Sequence, residues 1–411
     1  MMHVNIVGGG IAGLHTGIEV AKRGYSCCII DEYNCGGRVQ TYHNKDLGLQ
    51  WENGAGRIST AHKMVMSYIK KYNLTVIPLS SEIDYINQTI HKNPFFAMQH
   101  AFLEPLESLD PDILATKTLT QIIREIIPNT DFIKAFPYYA EMSVLRADIA
   151  LESFKGEIGS HEGFVVCKEG LSALIDNMKK EFVSHGGIIA ENMRVNSVES
   201  VNNLTYLHSI HRIQKTHHIF RAPITVLAVP SNALTKLIRI PAVTNVTKHL
   251  ETVPLLRMYM VFDEPWFAGL HSTVVAGPIR YIIPINQRVI MISYTEGPYA
   301  TKWKNMEDTQ TEVLKEIRRI FPDRTIPEPV FFKMHWWSTG CTYWTPGKYD
   351  VEKASVSILC PKKGIFVCGE SYAVEQSWME SALEHADLLW YHREFNAALK
   401  SLNKRSKDKQ M

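Results

Sequence analysis

The sequence predicts an α/β fold that opens on a βαβ unit, and three observations predict it. Residues 3–7 (HVNIV) form a short apolar run of strand character that stops at a glycine cluster. Ala12, Leu14, Ile18 and Ala21 then recur at helical spacing until Gly24 ends the helix. Residues 25–30 (YSCCII) form a second apolar run, which closes on Asp31 and Glu32.

Composition agrees with a globular chain. The 411 residues provide for two or three average domains. Apolar residues are 45% and charged residues 21%, which excludes wholesale disorder, collagen and coiled coil. Lys and Arg number 44 against 42 Asp and Glu, so the net charge of +2 directs the chain to neither nucleic acid nor an anionic membrane. No apolar run reaches the roughly 18 residues of a membrane span, so no membrane anchor is expected. Strand-like residues from His3 leave no room for a signal peptide. The seven cysteines are odd in number and include no CxxC pair. They fit a reducing, cytoplasmic setting better than a disulfide framework or a zinc site. The 17 histidines show no HxxxH or HExxH spacing, and no metal is expected.

Each part of the opening unit has a mechanical role in binding a dinucleotide. Gly8-Gly9-Gly10-Ile11-Ala12-Gly13 spells GxGxxG. Gly8 permits the tight turn, Gly10 lets backbone approach a pyrophosphate, and Gly13 lets the helix pack closely on the strand. The helix N-terminus at Ile11 and Ala12 offers free N–H groups and partial positive charge to the phosphates. Asp31 ends the second strand and is the acid for an adenosine ribose, with Glu32 as the alternative. This unit leaves NAD and FAD both open.

The next signature separates them. Gly36-Gly37-Arg38 follows the acid, the glycines allowing a second close backbone approach and Arg38 suiting a phosphate. GxGxxG, acid and GGR in this order resemble the flavin-containing amine oxidase superfamily of monoamine, polyamine and L-amino-acid oxidases. The acid-to-GGR gap is one residue shorter here than in many members. The resemblance implies a Rossmann-like FAD-binding domain interleaved with a mixed-sheet substrate-binding domain, α/β joined to α+β. It continues through Gly54-Ala55-Gly56-Arg57, similar to the segment beside the flavin, with a helix expected over 62–71. Val195 falls where a valine backbone meets the adenine, and residues 224–230 resemble the strand that returns to the dinucleotide domain. Gly369-Glu370 resembles the acid on the ribityl side. Ser377-Trp378-Met379-Glu380 opens a helix with Ser377 and Glu380 as a capping box. In the family the N–H groups of this helix, Met379 among them, face the flavin pyrimidine. The implied FAD-binding pieces are 1–61, 159–240 and 338–395. The substrate-domain pieces are 62–158 and 241–337, and 396–411 is a basic tail, solvated and frayed from Lys400.

Four residues are assigned to the reacting end. Arg257 stands where the family usually has a lysine that holds a water near the reactive flavin nitrogen. It keeps the charge but does not deprotonate at neutral pH; a strand-end salt bridge is the structural alternative. Arg57 either grips a substrate carboxylate, as in amino-acid-oxidising members, or supports local structure. Trp344 and Trp378 are two rings that can orient an amine, Trp378 falling at the second aromatic-cage position of monoamine oxidases. Core packing is the alternative for both. Trp336 or Trp337 flanks the flavin edge. Cys341 lies six residues before Gly347, closer than the flavin-bearing cysteine of monoamine oxidases, so the FAD is expected to be non-covalent. Phe136-Pro137-Tyr138-Tyr139 reads as a helix-breaking aromatic turn rather than a substrate entrance.

The implied reaction takes a hydride from the carbon bearing an unprotonated amine. The imine is hydrolysed to a carbonyl and ammonia or an amine, and oxygen is reduced to hydrogen peroxide. Two rivals stand beside it: an L-amino-acid substrate held through Arg57, and an FAD-binding protein without oxidase turnover.

Overall fold

The structure, a computed structural model, describes residues 1–80, 82–86, 93–94, 106–126, 140–158 and 163–408. The turn at Phe136 to Tyr139 lies outside them. The opening unit is strand Val4–Val7, helix Ile11–Lys22 and strand Cys27–Ile30. Ala12, Leu14, Ile18 and Ala21 are all buried, as their helical spacing requires.

These strands belong to a five-stranded, wholly parallel sheet. Its order is Ile188–Ala190, Cys27–Ile30, Val4–Val7, Ile224–Leu227, Ile365–Val367. Both faces are covered, which explains strands that are apolar at every position. Cys27 and Ile29 belong to the core that also holds Phe182 of helix Leu171–Ser184 and Leu389 of helix Met379–Tyr391. Cys28 and Ile30, one residue out of phase, belong to a different core, with Leu207 and Leu227. Leu207 sits in an antiparallel three-stranded sheet, Met193–Val201, Leu204–His211 and His217–Ala222.

A seven-stranded mixed sheet stands apart from the parallel one. Its order is Phe331–Trp344, Leu250–Val261, Val289–Glu296, Arg280–Pro284, Ser272–Val275, Ile83–Ile86, Asn93–Pro94. All its pairings are antiparallel except Ser272–Val275 with Ile83–Ile86. Each sheet draws strands from separated stretches of chain, so the Rossmann-like and mixed-sheet layers are interleaved. The strand Phe331–Trp344 runs beside Leu250–Val261 with a register shift between Val253 and Leu255.

The C-terminus departs from expectation. Residues 393–408 form one helix rather than a frayed tail, because Phe395, Leu399 and Leu402 recur at helical spacing and are buried. No helix among the described residues is long and apolar enough to cross a membrane.

Candidate active site

The glycine turn is built by contacts that exclude side chains. Gly8 has φ +100, and a Cβ on Gly13 would lie 1.9 Å from the Gly8 carbonyl oxygen. Helix and strand therefore touch through backbone alone. Gly10 differs: a Cβ there would meet nothing within 4 Å. It precedes the helix Ile11–Lys22, whose N-terminus no side chain caps. Free N–H groups beside open space form a seat for a phosphate. The Gly36-Gly37 turn docks onto this seat, Gly36 N–H donating to the Gly9 carbonyl at 2.8 Å.

Asp31 accepts the Gly9 N–H at 2.6 Å and the Tyr33 N–H at 2.8 Å. Burial raises its pKa, and those two N–H groups work against the rise. Glu32 turns instead to Arg194 at 2.6 Å and Arg212 at 3.6 Å.

A cavity of about 1530 Å³ begins at this seat. Its wall includes Gly8, Gly10, Ile11, Ala12, Asp31, Gly36, Gly37, Arg38, Gly54, Ala55, Gly56 and Arg57, and also Val195, Arg257, Gly369, Glu370, Trp378 and Met379. Gly13 lies behind it, in the helix packing. Ordinary ligand pockets hold roughly 300–1,000 Å³, so this one has room for a large cofactor and a further small molecule.

Two predicted residues turn out to be one unit. Arg38 donates through Nη2 to Glu370 Oε2 at 2.7 Å and through Nη1 to the Gly340 carbonyl at 2.9 Å. Its charge toward a phosphate is thus already compensated by Glu370. The other Glu370 oxygen accepts the Ser377 N–H at 2.8 Å.

The capping box is not formed. Trp378 is the N-cap of helix Met379–Tyr391 and no side chain caps it. Glu380 instead accepts the Met64 and Val65 N–H groups at 2.8 and 2.9 Å. It serves the N-terminus of the neighbouring helix Lys63–Lys71 rather than its own. The helix end at Met379, left without a side-chain acceptor, faces the cavity with its dipole.

The aromatic pair also differs from the expected one. Trp378 lies beside Phe164, stacked at 6.0 Å, and edge-on to His62 at 5.0 Å. The Arg57 guanidinium sits over both rings, 4.8 Å from Phe164 and 5.4 Å from Trp378. Trp344 is absent from the wall: it is 0% exposed, and its indole donates to the Ala373 carbonyl at 2.8 Å. Strand alternation is the reason. Cys341 and Tyr343 line the cavity, so Thr342 and Trp344 face away. Had Cys341 been taken as cavity-facing, period two would have selected Tyr343 from sequence. Phe164 left no such signal.

Arg257 lies 9% exposed on the wall. Its Nη1 donates weakly to the Glu52 carbonyl at 3.4 Å, an oxygen that also accepts the Tyr259 hydroxyl at 2.6 Å. Its guanidinium stands 4.7 Å above the Tyr294 ring. It makes no salt bridge among the described residues, so the strand-end ion pair is not what holds it. The Glu52 carboxylate, pushed up to about 7 by burial, accepts the Leu171 N–H at 2.7 Å and the Thr41 hydroxyl. Nearby, His335 accepts the Trp51 indole N–H at 2.9 Å, which fixes its Nε2 as unprotonated. Burial, then Lys333 and Arg257, push His335 down to about 4. Trp336 and Trp337 both reach the wall, Trp337 donating to the Asn53 carbonyl at 2.6 Å. Cys341 is buried and takes part in no disulfide.

Fold and cavity together define a dinucleotide-binding enzyme with an aromatic, cation-bearing chamber. Comparison with known proteins takes this further. The profile of the flavin-containing amine oxidoreductases matches residues 127–388, and that of an NAD(P)-binding Rossmann-like domain matches residues 6–72. The chain belongs to the flavin-containing amine oxidoreductase family. FAD is accordingly its cofactor, and the residues present fit it: open space at Gly10, an uncapped helix, a carboxylate at Asp31. L-amino-acid oxidase of Trimeresurus stejnegeri is 36% identical over 83 residues, 20% of this chain but 16% of that protein. The Naja atra enzyme is 37% identical over 73 residues, 18% and 14% of the two chains. Two putrescine oxidase structures, both redesigned in cofactor binding, align with TM-scores of 0.76 and 0.74. They are 15% and 14% identical, covering 98% and 97% of this chain and 99% of each of theirs. That likeness establishes the fold.

Proposed function

We propose that this protein oxidises the C–N bond of a small amine to an imine, which water hydrolyses to a carbonyl compound and ammonia or a smaller amine. Molecular oxygen is the final acceptor and hydrogen peroxide the product. The observation that carries this reading is one cavity joining the glycine-and-Asp31 seat to a chamber walled by Arg57, Trp378, Tyr343 and Arg257. FAD, when bound, supplies the acceptor for the substrate hydride.

The protein's own part is position and field. The helix starting at Ile11 and the Gly36-Gly37 turn seat the phosphates, and Asp31 the ribose. The uncapped helix end at Met379 places positive potential where negative charge develops. The Trp378 ring, held by Phe164 and Arg57, orients the substrate carbon. His335 stays neutral through the physiological range, so it adds no charge beside the permanent cation of Arg257. Seven cysteines, none of them in a disulfide, support a reducing, cytoplasmic setting.

A second reading, an L-amino acid substrate, is favoured by Arg57 on the wall and by the similarity to L-amino-acid oxidases. Anaerobic mixing of the FAD-loaded protein with pooled amines, then pooled L-amino acids, tests both readings. Flavin bleaching by one pool identifies the class, and peroxide on readmitting air completes the reaction. Bleaching by neither refutes both readings in favour of an FAD-binding protein without oxidase turnover.

A further inference from the structure

Two buried arginines of the mixed sheet are treated differently by the fold. Arg280, 4% exposed, is ion-paired with Glu296, itself 1% exposed and also accepting the Tyr343 hydroxyl at 3.0 Å. That charge is neutralised within the protein. Arg257, 9% exposed, has no carboxylate within ion-pair distance among the described residues. Its Nε is buried without any hydrogen-bond partner. Its other polar contacts are neutral: the Glu52 carbonyl, already taken by the shorter Tyr259 bond, and the Tyr259 hydroxyl oxygen itself. The Glu52 carboxylate is occupied by Leu171 and Thr41. The guanidinium is held by shape: Tyr294 lies on one side, and a Cβ on Gly56 would fall 2.6 Å from Nη1.

Glu52 acts on this charge only at a distance, without an ion pair. A buried guanidinium with no paired carboxylate is costly, and its cost falls when an anion reaches it. Arg257 can be reached, because it forms part of the cavity wall. Arg57, by contrast, already lies over two aromatic faces. We infer that Arg257 is a carboxylate-binding subsite of this cavity, taking the planar carboxylate of a molecule bound beside the cofactor. The fork of Arg suits that geometry where a lysine would supply only a point charge. The inference rests on the reading of the cavity as the cofactor and substrate chamber, and it moves the carboxylate anchor from Arg57 to Arg257.

Benzoate is the probe, benzamide its neutral isostere. Titrating each into the FAD-loaded protein, with the flavin absorption spectrum and calorimetry as readouts, requires no turnover. Benzoate should bind far more tightly than benzamide. Arg257→Met and Arg257→Gln should each weaken benzoate by about 10- to 100-fold, the worth of a charge-assisted pair. The Gln variant keeps a donor toward the Glu52 carbonyl and guards against misfolding. Arg57→Met should leave benzoate within about threefold, as an independent site would. Equal binding of benzoate and benzamide, or loss of benzoate in Arg57→Met with retention in the Arg257 variants, overturns the inference. Benzoate binding through Arg257 in a protein bleached by no amine or amino acid would sustain the subsite while refuting the proposed reaction.

Discussion

Replacing Arg38 by methionine tests how the cavity is held together. Arg38 lies in the turn after the second strand, and Glu370 follows the last strand of the parallel sheet, 332 residues away. Their ion pair spans 2.7 Å, with side chains 31% and 4% exposed. Removing one partner of a buried pair costs about 3–5 kcal/mol, because the other charge is stranded. The partial exposure of Arg38 toward the cavity places Arg38→Met at the low end, about 3 kcal/mol, including the bond to the Gly340 carbonyl. For a domain of about 150–250 residues this lowers Tm by about 6–12 °C. Glu370→Gln keeps an acceptor for Ser377 and should cost less. Combined with Arg38→Met it should recover about 1.5–3 kcal/mol relative to the sum of the singles. Scanning calorimetry of the four apo-proteins reads the cycle. Additive singles, or an Arg38→Met protein melting within about 1 °C of wild type, would refute the coupling.

The glycine turn, the two tryptophans and Glu52 give further tests. Gly13→Ala drives a Cβ to 1.9 Å from the Gly8 carbonyl and should destabilise the apo-protein by about 3 kcal/mol. Gly10→Ala, where a Cβ meets nothing, should leave the apo Tm unchanged yet weaken FAD binding in a fluorescence titration; the reverse pattern would sink the assignment of the seat. Trp344→Ala should cost about 3–5 kcal/mol as a core truncation. Trp378→Ala, at a half-buried wall position, should leave stability largely intact and raise KM. An unchanged Tm in Trp344→Ala would contradict its burial. Glu52 has a folded-state pKa raised to about 7, so its native form holds a proton that the unfolded chain releases near 4 to 5. Its contribution is therefore present below that range and is lost as pH rises toward 7. Glu52→Gln should flatten the fall in stability across that window, and an unaltered slope in pH-dependent unfolding would rule the assignment out.

What can be read from the sequence is what neighbouring residues decide among themselves. The steric demand at Gly13 involves Gly8, five residues away in one turn. Asp31 and Gly9 meet because a single βαβ unit fixes both strand ends. The helical spacing of Ala12, Leu14, Ile18 and Ala21 is likewise a local period, and all four lie buried in a helix that is covered on nearly every side. The family signature extends this reach only where its motifs are themselves compact, as at Gly36-Gly37-Arg38 and Gly369-Glu370.

Tertiary structure decided the rest, because the contacts concerned join segments whose separation carries no spacing rule. Ser377 and Glu380 fit a capping pattern, yet the carboxylate found a helix end 316 residues earlier, at Met64, where the N–H groups had no other acceptor. Trp344 and Tyr343 are adjacent, and only the pairing of Phe331–Trp344 with Leu250–Val261 determines which of them faces the cavity; one step of register exchanges them. Phe164, at the start of a strand, meets Trp378, the N-cap of a helix more than two hundred residues later. Arg257 is legible as a charge at a family position, but its want of a carboxylate partner emerges only when every surrounding strand is in place. Local sterics and period wrote the nucleotide seat into the sequence, whereas the facing of the reacting chamber depended on registers and long-range pairings that exist only in the assembled fold.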